Sequence, residues 1–446
     1  MNAKIDRPAK LAEPALRNDP ITAERYISDE YFRQEWQRMW MRTWQIGGVS
    51  YQAPEPGDYL VADLGPESIL IVRQNDGGFR AFYNVCLHRG TRLLQGPDGH
   101  ASKITCPYHG WEFDRTGLLT GLPNAADFRQ GDPCGKLRLV EVRCEELFGF
   151  VWFNMDPKAP TLKEYLGATV VEEIGSYKME KMVRVLNMTA ESNNNWKIIT
   201  DNFNEAYHVQ VLHPELIPYI ENDGDVCQFD LLPNGHNRGW FPAYHPAVQY
   251  QGDKVGEPLN FLMAEWGLEA SKYVGREALR RIRTDIQKQK RALGPGRGFK
   301  HYEHLRDYQL TDYIIYNLFP NSVITVGPDG VQLLRPRPHA RNAEVCYFDH
   351  WWLVPQIEAR KFTPSPAGGP DLPVEDAPLE VVKYGEKSLG RTADQDLSVA
   401  AQQQAGLHSA GFRPFYMAHQ ERRVQAFHER LNDYMARSEQ LDPDQL

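Results

Sequence analysis

Two short motifs of cysteine and histidine constrain this sequence more than any other feature. Cys86 and His88 form a C-x-H pair, and Cys106 and His109 form a C-x-x-H pair after 17 intervening residues. Each pair offers one thiolate and one imidazole. Two loops that converge can therefore place both sulfurs on one metal and both nitrogens on another. The spacing predicts two neighbouring loops around a metal centre.

The order of these residue types separates two interpretations of the site. Two histidines that replace two cysteines on one iron are the ligand set of a Rieske [2Fe-2S] centre, whose potential is raised by the neutral imidazoles. A single structural zinc uses the same residue types, but its ligands usually come as like pairs, C-x2–4-C with H-x3–5-H. The interleaved order favours the cluster, with zinc as the alternative.

A chain of 446 residues exceeds the usual size of one hydrophobic core, so two structural parts are expected. From Gly57 to Asn154, short β-rich runs alternate with Gly, Pro and Asp turns, which predicts a small all-β domain. The second part is predicted to be α+β. Its predicted helices lie at 193–209, 274–293 and 415–437, and its predicted antiparallel strands lie at 311–326, 331–335 and 343–354.

Composition and charge exclude several classes of function. The net charge of -9 argues against nonspecific binding to nucleic acid or to an anionic membrane surface. No run approaches 18 apolar residues, and the polar N-terminus lacks the pattern of a secretory signal. Six cysteines in so long a chain are too sparse for a disulfide scaffold, so a reducing, cytoplasmic location is expected.

A second group of ligating residues follows the β-rich part. On a continuous helix, Asp201, Glu205 and His208 would share one face at i, i+4 and i+7. His213 precedes Pro214, which disfavours the α conformation, so we expect the helix to end or distort there and to let His213 turn toward the same metal. Two imidazoles and one carboxylate leave open positions on an iron, as in the facial triad of non-haem Fe(II) oxygenases. The spacing differs from the H-E-x-x-H of zinc proteases.

Both motifs resemble those of one enzyme family. The run C-x-H-R-G…C-P-Y-H-G-W is similar to the Rieske motif of aromatic-ring-hydroxylating oxygenases. The run N-W-K-x-x-x-D-N-x-x-E-x-Y-H-x-x-x-x-H is similar to the iron segment of their catalytic α subunits. Many ring-dihydroxylating members carry Asp where this chain has Glu205. The chain is therefore more similar to the branch that includes carnitine and glycine-betaine monooxygenases.

The resemblance implies an α+β fold in three stretches. Residues 40–160 would form the all-β Rieske domain, and residues 161–446 a helix-grip catalytic domain with an antiparallel sheet. Residues 1–39 would be a helical segment of the catalytic domain, consistent with the helical spacing of the aromatic residues from Phe32 to Trp44.

The resemblance also implies roles for single residues. His208 and His213 would bind a mononuclear Fe(II), and Glu205 would be the carboxylate that bridges to a cluster, with Asp201 and Asn202 as further catalytic candidates. Family members place the third ligand, an Asp, before a helix that bears Q-x-G-L. Asp396, eight residues before Gln404, fits that register, and Asp394 is the other candidate.

Partners follow from the same resemblance. The chain has no nicotinamide or flavin loop, so a separate NAD(P)H-dependent reductase, with or without a ferredoxin, would supply electrons for O2 activation. A head-to-tail trimer is expected, with or without a β subunit. The expected substrate is an aromatic or other hydrophobic small molecule, in a pocket for which Phe203, Val209, Leu212 and Phe319 are candidates. Oxidative demethylation or quaternary-amine oxidation is the alternative reaction, and a non-catalytic Rieske electron carrier is the alternative of another class.

Overall fold

The computed structural model describes residues 6–437. Its internal contacts divide the described residues into a larger unit, 6–28 with 166–337 and 343–432, and a smaller unit, 29–165 with 338–342 and 433–437. The helix Asp29–Arg38 thus lies in the smaller unit, whereas residues 1–39 were all expected to belong to the catalytic part. The reason is packing, because the Trp36 ring lies against Gly65 of the β-rich part.

The helices have the following bounds: α1 (Glu24–Ile27), α2 (Asp29–Arg38), α3 (Leu162–Leu166), α4 (Ala168–Gly175), α5 (Trp196–Phe203), α6 (Val209–Leu212), α7 (Leu259–Glu265), α8 (Arg276–Leu293), α9 (Arg391–Leu407) and α10 (Arg422–Met435). Among the described residues, no helix is both long enough and apolar enough to cross a membrane.

The smaller unit is built from ten strands: β1 (Gln45–Val49), β2 (Asp58–Leu64), β3 (Glu67–Arg73), β4 (Phe79–Tyr83), β5 (Asp98–His100), β6 (Ile104–Thr105), β7 (Glu112–Phe113), β8 (Leu119–Gly121), β9 (Glu141–Leu147) and β10 (Phe150–Asn154). Seven of them form a sheet in the order β1-β10-β9-β4-β3-β2-β5, and β6-β7-β8 form a second, small sheet. The β-rich stretch predicted from Gly57 to Asn154 therefore folds into the two sheets of this unit, which also contains α2.

The strands of the larger unit are β11 (Met182–Ser192), β12 (Gln228–Leu231), β13 (Asn237–Phe241), β14 (Tyr313–Leu318), β15 (Ser322–Gly327), β16 (Gly330–Pro338), β17 (Cys346–Pro355), β18 (Phe362–Thr363), β19 (Leu372–Pro373) and β20 (Glu380–Lys383). Eight form one sheet in the order β12-β13-β14-β15-β16-β17-β11-β20. Strands β12 to β16 are consecutive antiparallel neighbours, and β11 pairs antiparallel with β17. The edge strand β20 is an exception, because it runs parallel to β11.

The single helix predicted at 193–209 is wrong, because the chain breaks it after Phe203. The side-chain nitrogen of Asn204 donates to the backbone oxygen of Thr200 (3.0 Å), and its side-chain oxygen accepts from Asn237 on β13 (2.8 Å). These bonds hold Asn204 outside the regular helix, at φ −90° and ψ 5°. The next helix, α6, starts only at Val209, so Asp201 and His208 do not lie on one continuous helix.

Candidate metal centres

The two cysteine–histidine loops of the smaller unit have the same backbone pattern. The nitrogen of Cys86 donates to the oxygen of Thr91 (2.8 Å), and that of Gly90 donates to the oxygen of Cys86 (3.0 Å). The second loop repeats both bonds at the same spacing, from Cys106 to Trp111 (2.8 Å) and from Gly110 to Cys106 (3.0 Å). Both glycines have positive φ, 74° and 67°, a conformation that side chains disfavour. Each Cys therefore starts an equivalent tight turn.

The side chains of these loops converge. Cys86 and Cys106 are each 2% exposed and lie in one apolar cluster with Leu93, Ile104 and Phe113. The His88 and His109 rings lie 4.6 Å apart between centroids. Two thiols and two imidazoles are thus brought together from two loops.

One buried nitrogen of His88 indicates whether a [2Fe-2S] cluster fits this site. His88 Nδ1 is buried and has no hydrogen-bond partner among the described residues. Its ring is fixed by stacking on Trp111, with centroids 5.0 Å apart and planes at 4°. Because a buried polar atom without a partner is costly, the site calls for a ligand at this nitrogen. A [2Fe-2S] cluster held by Cys86, His88, Cys106 and His109 would satisfy it.

The second centre lies in the larger unit, at the two ends of α6 and on α9. His208 directly precedes α6, and His213 follows it at φ −123° and ψ 55°, outside the α region as expected before Pro214. His213 Nε2 lies 2.8 Å from Asp396 Oδ1, and His208 Nε2 lies 3.6 Å from the same oxygen. Their three ligand atoms lie within 4.8 Å of one another. Two imidazole nitrogens and one carboxylate oxygen suit a non-haem Fe(II).

The outer nitrogens of both rings are held by further side chains. His208 Nδ1 lies 2.5 Å from Glu205 Oε1, and His213 Nδ1 lies 2.8 Å from Gln395 Oε1. Second contacts of this kind fix the tautomer and the orientation of metal-binding histidines. Burial lowers the pKa of His213, but the hydrogen bond and the charge of Asp396 outweigh it, so the pKa is raised overall. Both Nε2 atoms are thereby directed toward Asp396.

Glu205 also binds the backbone at the start of α6. Its Oε2 accepts from the backbone nitrogens of Tyr207 and His208, the latter at 3.2 Å. Asn202, at the end of α5, donates through Nδ2 to Asp396 Oδ1 (3.3 Å). Among the sequence-predicted residues, Glu205 and Asn202 therefore lie around the three candidate ligands.

Asp201 and Asp394 lie elsewhere. Asp201 accepts from the Tyr26 hydroxyl (2.6 Å) and pairs with His428 Nε2 (2.9 Å), so it belongs to a buried network with α1 and α10. The expectation that Asp201, Glu205 and His208 share one helix face is thus wrong, because the helix ends between them. The Asp394 carboxylate accepts from the Leu389 nitrogen (2.9 Å) and the Ser388 hydroxyl (2.5 Å). It fixes the start of α9.

A cavity of about 20 Å³ borders Asp396, which is room for one water molecule. Phe203 and Phe348 line it and stack on each other, with centroids 6.1 Å apart. The other sequence-predicted pocket residues lie outside this cavity. Val209 packs against the apolar cluster of Ala206 and its neighbours, and Phe319 is buried against Phe427.

Sequence reasoning missed Gln395 and the partners of Asp201. Gln395 lies between the two candidate aspartates, so a polar residue beside the expected ligand was the available signal. Tyr26 and His428 lie 175 and 227 residues from Asp201, and no local pattern links them.

Comparison with known families matches both parts of the chain. Residues 43–139 match the Rieske [2Fe-2S] domain, and residues 179–437 match the ring-hydroxylating alpha subunit (catalytic domain). The second match alone covers more than half of the chain.

Curated relatives match over part of their length. The carnitine monooxygenase oxygenase subunit of Escherichia coli (strain K12) is 36% identical over 206 residues, 46% of this chain and 54% of that protein. The glycine betaine monooxygenase oxygenase subunit of Pseudomonas aeruginosa (strain UCBPP-PA14) is 29% identical over 203 residues, 45% and 46%. The large oxygenase component of the naphthalene 1,2-dioxygenase system of a Ralstonia species is 37% identical over 192 residues, 41% and 42%. The chain spans about half the length of these relatives.

Solved structures share the fold. The quaternary ammonium Rieske monooxygenase CntA superposes with a TM-score of 0.67 at 20% identity, over 95% of this chain and 100% of that one. Naphthalene 1,2-dioxygenase from Rhodococcus sp. superposes with a TM-score of 0.63 at 18% identity, over 94% and 95%. Three findings agree: two Cys–His loops converge, two histidines and an aspartate form a second centre, and both family models match. The chain therefore belongs to the family of ring-hydroxylating oxygenase alpha subunits with a Rieske [2Fe-2S] domain.

Proposed function

We propose that this chain is the terminal oxygenase component of an electron-transfer system that hydroxylates an aromatic or other hydrophobic small molecule. The observation that carries the proposal is the convergence of His208, His213 and Asp396 in a chain that also contains a Rieske domain. A non-catalytic Rieske electron carrier would have no use for this second group of ligands.

Each residue of the second centre has a role in this proposal. His208, His213 and Asp396 would hold the iron, which supplies the position where O2 is activated when it is bound. Glu205 and Gln395 hold the outer ring nitrogens and so keep both Nε2 atoms directed to one point. Asn202 fixes the Asp396 carboxylate by donating to it.

The proposed source of electrons is a Rieske cluster in an adjacent subunit of a homotrimer. A solved structure of a quaternary ammonium Rieske monooxygenase has been described as giving insight into inter-subunit electron transfer. Large side chains are exposed beside both relevant sites of this chain, Tyr108 (56%) next to His109, and Tyr207 (56%) and Val211 (86%) next to Glu205 and His208. Contact with a neighbouring subunit would cover such side chains. Glu205 would then connect His208 to His109 of the neighbour.

The remaining partners are part of the same proposal. An NAD(P)H-dependent reductase, directly or through a ferredoxin, would reduce the cluster in the cytoplasm. A β subunit is an optional further partner.

A second reaction type is favoured by one residue. The bridging position holds Glu205, as in the branch of carnitine and glycine-betaine monooxygenases, and two of the named curated relatives are oxygenase subunits of those enzymes. Monooxygenation of a quaternary amine, or oxidative demethylation, is therefore the candidate to compare with ring hydroxylation.

Metal analysis and a substrate panel test the proposal. The purified chain should be brown, with Rieske absorption and about three irons per chain, two in the cluster and one mononuclear. With a surrogate reductase, a panel of aromatic acids, aryl ethers and quaternary amines should reveal a compound that is consumed with O2. A colourless protein, or one with iron only in the cluster, would contradict the oxygenase assignment.

A further inference from the structure

A row of partly exposed side chains crosses the middle of the large sheet. Ile315 on β14 is directly opposite Thr325 on β15, which is directly opposite Gln332 on β16. Directly paired residues point to the same face of a sheet. All three are partly exposed. The residues before or after them, Ile314, Ile324 and Leu333, point to the opposite face and are 1%, 0% and 0% exposed.

This face of the sheet is turned toward the segment that carries the metal ligands. Ile315 packs against the cluster that contains Ala206 and Val209, which flank His208 in the chain. Asn317, two residues after Ile315 on the same face, donates through its side chain to the backbone oxygen of Phe203 (3.1 Å). Partly exposed side chains in the centre of a covered sheet border a space between the sheet and its cover. We infer a pocket above Thr325 and Gln332.

The row continues onto β17 and returns to the metal centre. Gln332 Nε2 lies 2.8 Å from His350 Nε2. Phe348, two residues before His350 on the same face, lies 6.4 Å from the His350 ring and stacks on Phe203 at 6.1 Å. Phe203 and Phe348 line the cavity at Asp396. One end of the row therefore packs against the apolar cluster beside His208, and the other end contacts Phe348 at the cavity that borders Asp396.

The polar groups of this row are uncharged. Burial lowers the pKa of His350 to about 4, so its ring is neutral near pH 7 and accepts the amide hydrogen of Gln332. That bond fixes the amide and leaves its oxygen as an acceptor. In the described part of the chain, neither this oxygen nor the Thr325 hydroxyl has a hydrogen-bond partner. A hydroxyl group could donate to Gln332 and bond with Thr325.

We propose that Thr325 and Gln332 are specificity-determining residues that bind a hydroxyl group of an uncharged, largely apolar substrate. The proposal rests on the proposed oxygenase function and narrows it. Ile315, Phe203 and Phe348 would contact the apolar frame, and the hydrogen bonds would set its orientation relative to Asp396. A quaternary ammonium group has no hydrogen to donate to the Gln332 oxygen and no acceptor for the Thr325 hydroxyl, so the row favours the phenol or alcohol class over quaternary amines.

A matched pair of probes tests this inference by calorimetric binding to the holoenzyme. The compounds 2-naphthol and 2-methylnaphthalene differ by a hydroxyl against a methyl group. We expect 2-naphthol to bind about fivefold to tenfold more tightly than 2-methylnaphthalene. This ratio corresponds to the net free energy of one or two hydrogen bonds. L-carnitine, as the charged probe, should bind more weakly than both.

Variants of similar shape test whether Thr325 and Gln332 cause the preference for 2-naphthol. Thr325→Val and Gln332→Leu should each reduce the preference for 2-naphthol severalfold while leaving the affinity for 2-methylnaphthalene unchanged. Thr325→Ser should retain it, because the hydroxyl is kept. Gln402→Leu makes the same chemical change as Gln332→Leu at an exposed position of α9 and should have no effect.

The outcomes separate this inference from the proposed function. Iron content and the Rieske spectrum of the same samples report on the function. If these are as proposed, then equal binding of the two naphthalenes, binding of neither, tighter binding of L-carnitine, or an unchanged preference in both Thr325→Val and Gln332→Leu would each overturn the role of the row.

Discussion

Glu205 Oε1 lies 2.5 Å from His208 Nδ1, so the carboxylate and the imidazole form one hydrogen-bonded unit. The opposite nitrogen of the same ring lies 3.6 Å from Asp396 Oδ1. His208 thus connects Glu205 on one side with the candidate iron position on the other. This arrangement suits Glu205 as a bridge to a neighbouring cluster rather than as a metal ligand.

Replacement of Glu205 should separate electron delivery from metal binding. Glu205→Gln can still accept from the backbone at the start of α6, so we expect the cluster and the mononuclear iron to be retained. Turnover should fall by about 10- to 100-fold or more, since the charged bridge is lost. Glu205→Asp should retain part of the activity. Metal analysis, cluster reduction rates and single-turnover product formation measure these effects.

An exposed glutamate outside the metal site serves as the control for Glu205. Glu380 pairs with Lys387 at the surface, so Glu380→Gln, the same chemical change, should keep normal turnover. Normal activity in Glu205→Ala, or loss of iron from Glu205→Gln, would refute the bridging role.

The third ligand can be tested by comparing two aspartates of α9. Asp396→Ala, like His208→Ala and His213→Ala, should lose the mononuclear iron and turnover while the visible spectrum of the cluster stays intact. Asp394→Ala should keep its iron and lose about 1–2 kcal/mol of stability, because its carboxylate bonds to Leu389 and Ser388 at the start of the helix. Elemental analysis distinguishes the two. The opposite result would move the ligand by two residues.

The sequence predicted those features of the structure that depend on residues close together in the chain. The pairs Cys86–His88 and Cys106–His109 define two loops by themselves, and Pro214 predicted the end of the helix at His213, which lies outside the α region. The β-rich part and the antiparallel character of the large sheet followed from strand and turn patterns, but the run predicted at 311–326 is two antiparallel strands, β14 and β15. These features are set by backbone preferences within a few residues.

Features that depend on distant residues could not be predicted in this way. The helix α5 ends at Phe203 because Asn204 bonds to Asn237, 33 residues away. Asp201 bonds with Tyr26 and His428 rather than with the candidate ligands, and Asp396 lies 183 residues from His213. The order of strands in the large sheet, which aligns Thr325 with Gln332, likewise depends on tertiary pairing. Single-sequence patterns carry no information on such contacts.

Replacement of a cluster histidine by cysteine should lower the reduction potential of the Rieske centre. A thiolate adds negative charge where His109 or His88 offers a neutral nitrogen, so oxidation becomes easier. We expect His109→Cys to keep an iron–sulfur cluster with a potential lower by on the order of 100 mV. A redox titration followed by visible absorption measures the shift. An unchanged potential would exclude His109 as a ligand.

A buried charge cluster on β16 and β17 should make the larger unit sensitive to acid. Asp349 is 1% exposed and accepts from Arg335 and Arg337 (both 2.7 Å) and from the Thr189 hydroxyl (2.8 Å). Burial raises the pKa of Asp349, but the two guanidinium groups outweigh this effect and lower it to about 2. The ordinary value for aspartate is about 3.9. The folded state therefore binds the proton less well than the unfolded state.

The sign of the pH dependence follows from this lowered pKa. The contribution of Asp349, about 2–3 kcal/mol, is fully present above about pH 4 and is lost as the pH falls through about 2. Asp349→Asn should cost about 3–5 kcal/mol at pH 7, because two buried guanidinium groups lose their counterion. It should also flatten the loss of stability between pH 4 and pH 2. Denaturant unfolding followed by tryptophan fluorescence at several pH values measures both effects.

Glu380→Gln, which breaks an exposed pair with Lys387, is the matched control and should change stability by less than about 1 kcal/mol. Equal effects of the two variants at pH 7 would show that the buried cluster does not stabilise the sheet.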